Sequence, residues 1–348
     1  MSRPQRPQRG PALREWVPDG IDVTTPTVAR VYDYALGGFH NFVVDRELAE
    51  QAGRIWPDFT QAAHEHRAFL GRVVQWLLGR GIRQFLDIGS GLPGLGGVRE
   101  LLQLTAHRTR AVHVDLDPVV VAHSQLVHGM PGVRVIRGDL RDPQTILCHP
   151  AVAEVLDFAS PVAVVVTGVL HFVADEDDPA GILQQFADAT VTGSYFVLSH
   201  AAALAGDAAR LELVRQLFDR TPTPMHCRTP EQIARFLDGW DLLDPGLVPV
   251  TAWHPDPDDE DVPAQPALLA AVARKPPLRP GGRHGDGPGE GLRGEGRSRP
   301  RLVRGPRDRV RAAGRDRRPD AAILPADGQQ TSALVYRDQR VIGVLDRP

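Results

Sequence analysis

The stretch FLDIGSGLP at residues 85–93 decides the fold. Its first apolar residues are typical of a buried strand, and the glycines at 89 and 91 let the backbone turn tightly and approach a ligand closely. A helix is predicted over about 98–104, and its first N–H groups have no partner within the helix. This order of strand, glycine-rich turn and helix is typical of a Rossmann-like domain.

The glycine spacing alone leaves two kinds of cofactor open. Gly89, Gly91 and Gly94 also satisfy the G-x-G-x-x-G pattern of dinucleotide sites. A carboxylate beside that turn would repel a pyrophosphate, but it suits a ligand that carries an ammonium and a sulfonium. Asp87 therefore favours S-adenosylmethionine (SAM) over NAD(P). The predicted cofactor-binding residues of this stretch are Asp87, Gly89, Ser90 and Gly91.

Strands alternate with helices from residue 82 to residue 200, which predicts a parallel, doubly wound α/β sheet. The five strands are predicted at 84–88, 111–114, 133–136, 162–167 and 194–198. Two more strands are expected at 246–251 and 268–274, the former at a sheet edge because it contains a proline. A single helix is expected near 143–155.

Acidic residues follow the second and third predicted strands. Asp115 ends the second strand 24 residues after Gly91, where a carboxylate can accept from both hydroxyls of a ribose. Asp139 follows the third strand and suits the amino group of an adenine. Asp117 is a further candidate, although a residue before Pro118 equally suits the N-cap of the next helix.

The region before the first strand, residues 21–80, is predicted to be helical. Thr25 is the expected N-cap of its first helix, with Pro26 at the first helical position, and Gly37 and Gly38 end that helix. Two more helices are expected at 45–52 and 60–78. Tyr32 is interpreted either as part of a lid over the cofactor or as a core residue, since it falls on the apolar stripe.

Several longer motifs make the sequence similar to a known family, the actinobacterial SAM-dependent methyltransferases once catalogued as a domain of unknown function. The resemblance covers residues 21–274. Its motifs are ARVYDYALGG at 29–38 with Asn41-Phe42, FLDIGSGLP at 85–93, VDLDP at 114–118, GDLRDP at 138–143, VLHFV at 169–173 with 175–179, and RTP at 228–230.

The resemblance implies a class I methyltransferase fold: a mostly parallel, seven-stranded sheet with helices on both faces, an N-terminal helical lid, and SAM over the strand tips. It also adds Tyr32, Gly38, Asn41 and Leu140 to the cofactor-binding residues. It does not identify the methyl acceptor, for which we expect a small molecule.

Four residues depart from the family pattern. Phe39-His40 stands where a basic–acidic pair is expected, and Gly94 and Gly97 stand where Thr and Asn are expected. These changes remove polar side chains near the predicted ligand. A SAM- or nucleoside-binding protein that has lost catalysis is therefore one alternative function. An NAD(P)-dependent oxidoreductase is another, which Asp87 and the lack of a Tyr-x-x-x-Lys pair oppose.

His171, directly after the fourth strand, is the candidate catalytic residue. It is either a general base that deprotonates the acceptor or a histidine that hydrogen-bonds its loop. The acidic run at 175–178 could bind a divalent cation, but such runs more often flank a helix N-terminus. Cys148 and Cys227 lack the spacing of a zinc site. We predict no metal site.

Charge is distributed unevenly along the chain. Residues 276–348 carry 16 arginines and nine acids, a net charge of +7, which leaves −10 for the rest of a chain whose net charge is −3. Residues 1–20 and the Gly/Pro/Arg-rich tail from 275 are expected to be largely disordered, with a small hairpin over 332–345. Apart from these arginines nothing indicates nucleic-acid binding. No apolar run suits a membrane span, so a cytoplasmic protein is expected.

Overall fold

The computed structural model describes residues 21–94, 96–105, 109–126, 131–202, 208–255, 268–277, 333–337 and 340–345. The chain divides into two compact units, 1–283 and 284–348. The predictions of disorder for residues 1–20 and 278–332 fall outside the described residues. No helix among the described residues is both long and apolar enough to span a bilayer.

Three helices precede the sheet, as predicted: α1 (Val28–Ala35), α2 (Val43–Ile55) and α3 (Phe59–Gly79). The predicted N-cap of the first helix is wrong, because Thr27 and not Thr25 occupies that position. The Thr27 hydroxyl does not cap the helix but donates to Asp117 Oδ2. Gly37, with φ of +78°, follows the end of the helix, as predicted.

The five strands between residues 82 and 200 are confirmed, and all pair in parallel in the order β3-β2-β1-β4-β5. Because the strands are parallel, their carboxyl ends meet at one edge of the sheet. The strands are β1 (Gln84–Ile88), β2 (Arg110–Asp115), β3 (Val133–Arg137), β4 (Ala163–Thr167) and β5 (Tyr195–Ala201).

Beyond β5 the sheet becomes antiparallel. Two short strands, β6 (Asp241–Leu242) and β7 (Val248–Pro249), pair with opposite ends of β8 (Leu268–Arg274), whose other side pairs with β5. The sheet thus has eight strands. Since β6 and β7 run in the same direction along one side of β8, they act as one interrupted edge strand. This interruption explains why seven strands were predicted, and Pro249 lies at an edge as expected.

Helices connect the strands of the sheet. They are α4 (Val98–Thr105), α5 (Pro118–Leu126), α6 (Pro143–Leu147), α7 (Pro150–Val155), α8 (Pro179–Ala189), α9 (Ala208–Phe218) and α10 (Pro230–Arg235). The prediction of a single helix near 143–155 is wrong, because two helices cover this stretch. Pro150 lacks an N–H and cannot continue a helix from Ile146, so the helix ends at Leu147 and a new one starts with His149 as its N-cap.

The sheet is buried on both faces by alternating side chains. Leu86 and Ile88 of β1 belong to one apolar cluster, which includes Ile182 and Phe186 of α8. Phe85 points to the opposite face and joins a second cluster with side chains of α3 and α4. This alternation with a period of two residues, with helices on each side, is that of a doubly wound sheet.

The second unit contains the predicted hairpin. Strands β9 (Ala333–Arg337) and β10 (Arg340–Leu345) pair antiparallel, with a register shift between Val341 and Gly343.

Candidate functional site

A cavity of about 250 Å³ opens over the carboxyl ends of β1, β2 and β4. Side chains of α1, α3 and α9 form another part of its wall, so the N-terminal helices cover the strand tips as the predicted lid would. Nine predicted site residues line it: Tyr32, Asp87, Gly89, Ser90, Gly91, Asp115, Asp139, Leu140 and His171. Gly38, Asn41 and Asp117 are not part of its wall.

The glycine turn has the backbone geometry that the sequence predicts. Gly89 and Gly91 have φ of +73° and +67°, which side chains rarely tolerate, and a Cβ at Gly89 would collide with Val169. By contrast, a Cβ at Gly94 would meet no atom closer than 4.0 Å. The third glycine of a dinucleotide motif serves close packing of helix on strand. Since Gly94 serves no such contact, its match to that motif is coincidental.

Asp115 joins the glycine turn to the second strand. Its Oδ2 accepts from Gly91 N at 2.8 Å, and its Oδ1 accepts from Asp117 N at 2.9 Å. Burial raises the pKa of Asp115 to about 6, although both backbone hydrogen bonds lower it. Each carboxylate oxygen keeps a lone pair for a further donor, such as a ribose hydroxyl.

Asp87 has a partner that the sequence analysis missed. His113 of β2 lies opposite it in register, and its Nδ1 is 2.8 Å from Asp87 Oδ2, with both side chains buried. A polar residue inside the apolar run of β2 was the available signal, because it had to find a partner on the neighbouring strand. Asp87 therefore already has a partner within the protein and would bind a ligand as part of this pair. The other ring nitrogen, His113 Nε2, is buried and has no hydrogen-bond partner.

Asp139 is held by its neighbour Arg141. The Arg141 Nε donates to both carboxylate oxygens at 3.0 Å, and Nη2 donates to Oδ2 at 2.6 Å. Burial raises the pKa of Asp139, but the hydrogen bonds and charge of Arg141 outweigh it, so the pKa is lowered overall. Both residues line the cavity, so the predicted adenine site presents a paired carboxylate rather than a free one.

Asp117 caps the next helix, which was the alternative to its predicted role in cofactor binding. Its Oδ1 accepts from Val119 N at 2.8 Å at the start of α5. Its Oδ2 accepts from the Thr27 hydroxyl and lies 3.3 Å from Arg30 Nε. Arg30 is fully buried and also pairs with Asp45 at 3.6 Å. This cluster fastens α1 to the sheet.

Gly38 and Asn41 shape the turn between α1 and α2. Asp33 Oδ2 accepts from Asn41 Nδ2 at 2.8 Å and from His40 N at 2.9 Å. A Cβ at Gly38 would collide with the Asp33 carboxylate, so only glycine fits there. Asn41 Nδ2 also donates to the Gly38 carbonyl at 2.9 Å. In this structure the two residues hold the turn rather than the cavity wall.

Tyr32 ends a chain of hydrogen bonds beneath the cavity. Gly168 N donates to Ser199 Oγ, which lies 2.8 Å from His66 Nε2, while His66 Nδ1 lies 2.8 Å from Tyr32 Oη. Tyr32 donates to the Ala63 carbonyl at 3.1 Å. Burial lowers the pKa of His66 to about 3, so the ring is neutral. These directions place its proton on Nδ1. Neither His66 nor Ser199 was predicted to belong to the site.

His171 lies in a 3₁₀ turn directly after β4, where the sequence placed it. It is buried, and burial lowers its pKa well below the usual value, followed by the charge effects of His200, His66 and Arg228. Its Nδ1 accepts from Ala201 N over a long 3.4 Å. A neutral ring held in this way carries its proton on Nε2.

Arg228 holds the loop that carries His171. Its guanidinium donates to the carbonyls of Leu170 and Val173 and to Asp175 Oδ1, the latter at 2.6 Å. Asp178 caps α8 by accepting from Gly181 N. The acidic run therefore flanks a helix N-terminus, as favoured above. Among the described residues no group of His, Cys, Asp and Glu side chains could hold a metal ion.

Comparison with known proteins agrees with this geometry. The family model for S-adenosyl methyltransferases matches residues 14–276. The chain belongs to the S-adenosyl methyltransferase family. A DUF574-family protein from Streptomyces avermitilis is 36% identical, with a TM-score of 0.69 over 73% of this chain and 99% of its own. A candidate methyltransferase from Thermobifida fusca is 34% identical, with a TM-score of 0.69 over 75% and 99%. No curated protein matches.

The cavity fits the cofactor of this family, SAM. Gly89 leaves no room for a side chain, and Asp115 keeps lone pairs for a ribose. Two buried polar atoms of lining residues, Ser90 Oγ and Arg67 Nε, lack hydrogen-bond partners. Unsatisfied buried polar atoms are costly in a folded protein and mark places where a ligand supplies the missing partner. The chain is a SAM-dependent methyltransferase and not the NAD(P)-dependent oxidoreductase that was the other interpretation of the glycine motif.

Proposed function

We propose that this enzyme methylates a small, largely apolar acceptor bound at the apolar end of the cavity. The observation that carries the proposal is the composition of that end. Ten lining residues also belong to, or pack on, the apolar cluster between α1, α2 and α9, among them Trp56, Phe59, Phe172, Val214, Phe218 and Met225. An apolar acceptor gains about 25 cal/mol for each Å² of surface it buries there.

When bound, SAM supplies a methyl group that its sulfonium has already activated. The residues of the chain contribute alignment of the acceptor and exclusion of water. His171 lines the same cavity. Because its Nδ1 accepts from Ala201 N, it is poised to donate from Nε2 to an acceptor, and it gains a proton only after that contact breaks. We therefore assign His171 to orienting the acceptor, in place of the predicted general base.

The role of His171 is tested by two substitutions. His171→Gln places an amide donor near the position of Nε2, and His171→Asn places one near Nδ1. If His171 orients the acceptor, the Gln variant keeps more activity than the Asn variant, and the pH–rate profile is unchanged. Equal loss in both variants, with a change in the pH–rate profile, would instead indicate a general base.

The acceptor class is tested by incubating the protein with SAM and a panel of small molecules, while S-adenosylhomocysteine formation is measured. Phe59→Glu places a charge at the apolar end and should reduce turnover at least about tenfold, because a charge there must be desolvated when the acceptor binds. Thr60→Glu adds the same charge one residue away, on an exposed position outside the cavity wall, and should leave turnover unchanged. Both variants should bind S-adenosylhomocysteine as the wild type does.

Turnover with charged polymers such as RNA, but with none of the apolar compounds, would overturn the proposed acceptor class. Binding of S-adenosylhomocysteine with no turnover of any acceptor tested would favour the inactive SAM-binding alternative.

A further inference from the structure

The charged residues of the cavity wall differ in whether they already have a partner. Asp87 pairs with His113, and Asp139 pairs with Arg141. Asp115 is held by two backbone N–H groups. Arg67 of α3 is different, because it takes part in none of the ion pairs between described residues.

Arg67 is about nine-tenths buried. Its guanidinium carbon lies 5.3 Å from the centroid of the Tyr32 ring, and its Nε has no hydrogen-bond partner. The guanidinium hydrogen-bonds the Tyr32 hydroxyl, but no carboxylate among the described residues forms an ion pair with it. A buried cation without an ion-pair partner is unfavourable, so such a group is retained where a ligand brings the opposite charge. The planar fork of an arginine matches a carboxylate in particular.

The side chain of Arg67 lies beside the segment that follows the glycine turn. A Cβ at Gly96 would collide with its Cγ, and a Cβ at Gly97 would lie 2.8 Å from its Nη1. Glu100 Oε2 would lie nearer still to a Cβ at Gly97, although Glu100 and Arg67 form no ion pair. Arg67 and Glu100 therefore share the space that a side chain at position 97 would fill.

The position of Arg67 also fits the order of the strands. Asp139 and Asp115 follow β3 and β2, which places adenine and ribose on that side of the glycine turn. The amino-acid end of SAM then extends towards β1 and β4. His66, next to Arg67 in α3, lies against the tip of β4, where a Cβ at Gly168 would be 3.2 Å from its ring.

We propose that Arg67 binds the carboxylate of the methionine moiety of SAM. This inference rests on the assignment of the cavity to SAM, and it adds a cofactor-binding residue that the motifs did not indicate.

The test compares two ligands that differ only in the carboxylate: S-adenosylhomocysteine and its decarboxylated analogue, which keeps the amine. Calorimetric titration of the wild type should show about 10- to 100-fold tighter binding of S-adenosylhomocysteine, the range for a charge-assisted contact. Arg67→Met should remove most of this preference and leave binding of the analogue within about twofold. Arg80→Met removes the same charge from the exposed C-terminus of α3 and should keep the preference.

Each outcome bears on one assignment. If the wild type binds both ligands equally, or if Arg67→Met weakens both ligands equally, Arg67 does not recognise the carboxylate. If the wild type binds neither ligand, the assignment of the cavity to SAM fails before Arg67 is tested. The wild-type comparison of the two ligands holds even if Arg67→Met does not fold.

Discussion

Substitution can separate the role of Asp115 in ligand binding from the role of Asp117 in holding the fold. Asp115→Ala should weaken S-adenosylhomocysteine binding by roughly 1.5–3 kcal/mol, or one to two powers of ten in Kd, because the ribose and the Gly91 N–H lose the same acceptor. Asp117→Ala should change affinity less. It should instead lower the free energy of unfolding by about 2–4 kcal/mol, because it removes both a helix cap and a charge-assisted bond from Thr27.

Calorimetry and chemical denaturation of both variants decide the assignment. Equal loss of affinity in the two variants, or a loss in Asp117→Ala alone, would move the ribose site away from Asp115.

The raised pKa of Asp115 gives a pH dependence of known sign. Ribose hydroxyls donate better to the ionised carboxylate, so binding favours deprotonation of Asp115. Affinity for S-adenosylhomocysteine should therefore rise by up to about tenfold per pH unit below pH 6, and it should level off above about pH 7. Asp115→Ala should lose this slope. A flat profile in the wild type would mean that Asp115 is already ionised at pH 5 or does not contact the ligand.

Individual residues of the site were predictable where a motif fixes the backbone. The glycines at 89 and 91 and the acid at 115 stand where the strand–turn–helix pattern placed them. His113 and Arg67 were not predictable, because each partnership depends on a contact across elements. Asp87 and His113 meet only through strand register, and Arg67 lies beside Gly96 and Gly97 only because α3 packs against α4.

At the scale of elements, Arg30 determines how α1 is attached to the sheet. Arg30→Met should lower the free energy of unfolding by about 3–5 kcal/mol, the range for breaking a buried ion pair, because Asp45 and Asp117 stay buried without their cation. Amide exchange should increase over α1 before it increases over β1 or β4.

The Arg30→Met defect should also depend on pH. The charge of Arg30 lowers the pKa of Asp45 against the rise that burial causes, so without the cation this pKa rises further in the folded state. A raised pKa in the folded state favours folding at low pH. The stability gap to the wild type should therefore narrow as the pH falls from 7 to 5. Arg54→Met, at an exposed position of the neighbouring helix α2, gives the matched loss of charge and should cost less than about 1 kcal/mol. A gap that widens at low pH would contradict this account.

Some element boundaries were predictable from a local signal, as at Gly37, but Thr25-Pro26 placed the N-cap of α1 two residues too early. Two further features were not predictable. Pro150 divides one apolar stretch into two helices. Whether a proline breaks a helix or starts one depends on where the preceding helix begins, which the sequence does not mark here. The interrupted edge strand of β6 and β7 depends on pairing with β8, which is distant in sequence.

At the scale of the whole chain, Lys275 belongs to the folded domain, although the change in composition begins at this residue. Lys275 Nζ donates to the carbonyls of Ala187 and Thr190 at 2.6 Å, and its backbone pairs with Ser194. A chain that ends at Arg283, the last residue of the first unit, should keep its Tm within about 2 °C and its ligand affinity.

A chain truncated after Arg274 serves as the comparison for the chain that ends at Arg283. It removes the hydrogen bonds of Lys275 and should lower the Tm by about 4–10 °C. Thermal scans of the two truncated chains and the full chain decide between these boundaries. A large drop for the chain that ends at Arg283 would show that residues 284–348 stabilise the domain.

The hydrogen-bond chain under the cavity fixes the place of each of its protons. It begins at the Gly168 N–H and ends at the Ala63 carbonyl, and neither group can reverse its role. Tyr32 Oη therefore accepts from His66 and donates to Ala63. The guanidinium of Arg67 also hydrogen-bonds this hydroxyl, which lowers the pKa of Tyr32 against the rise that burial causes. The Tyr32 hydroxyl is thus engaged by the protein itself, so a fixed array of dipoles lies under this part of the cavity before any ligand enters.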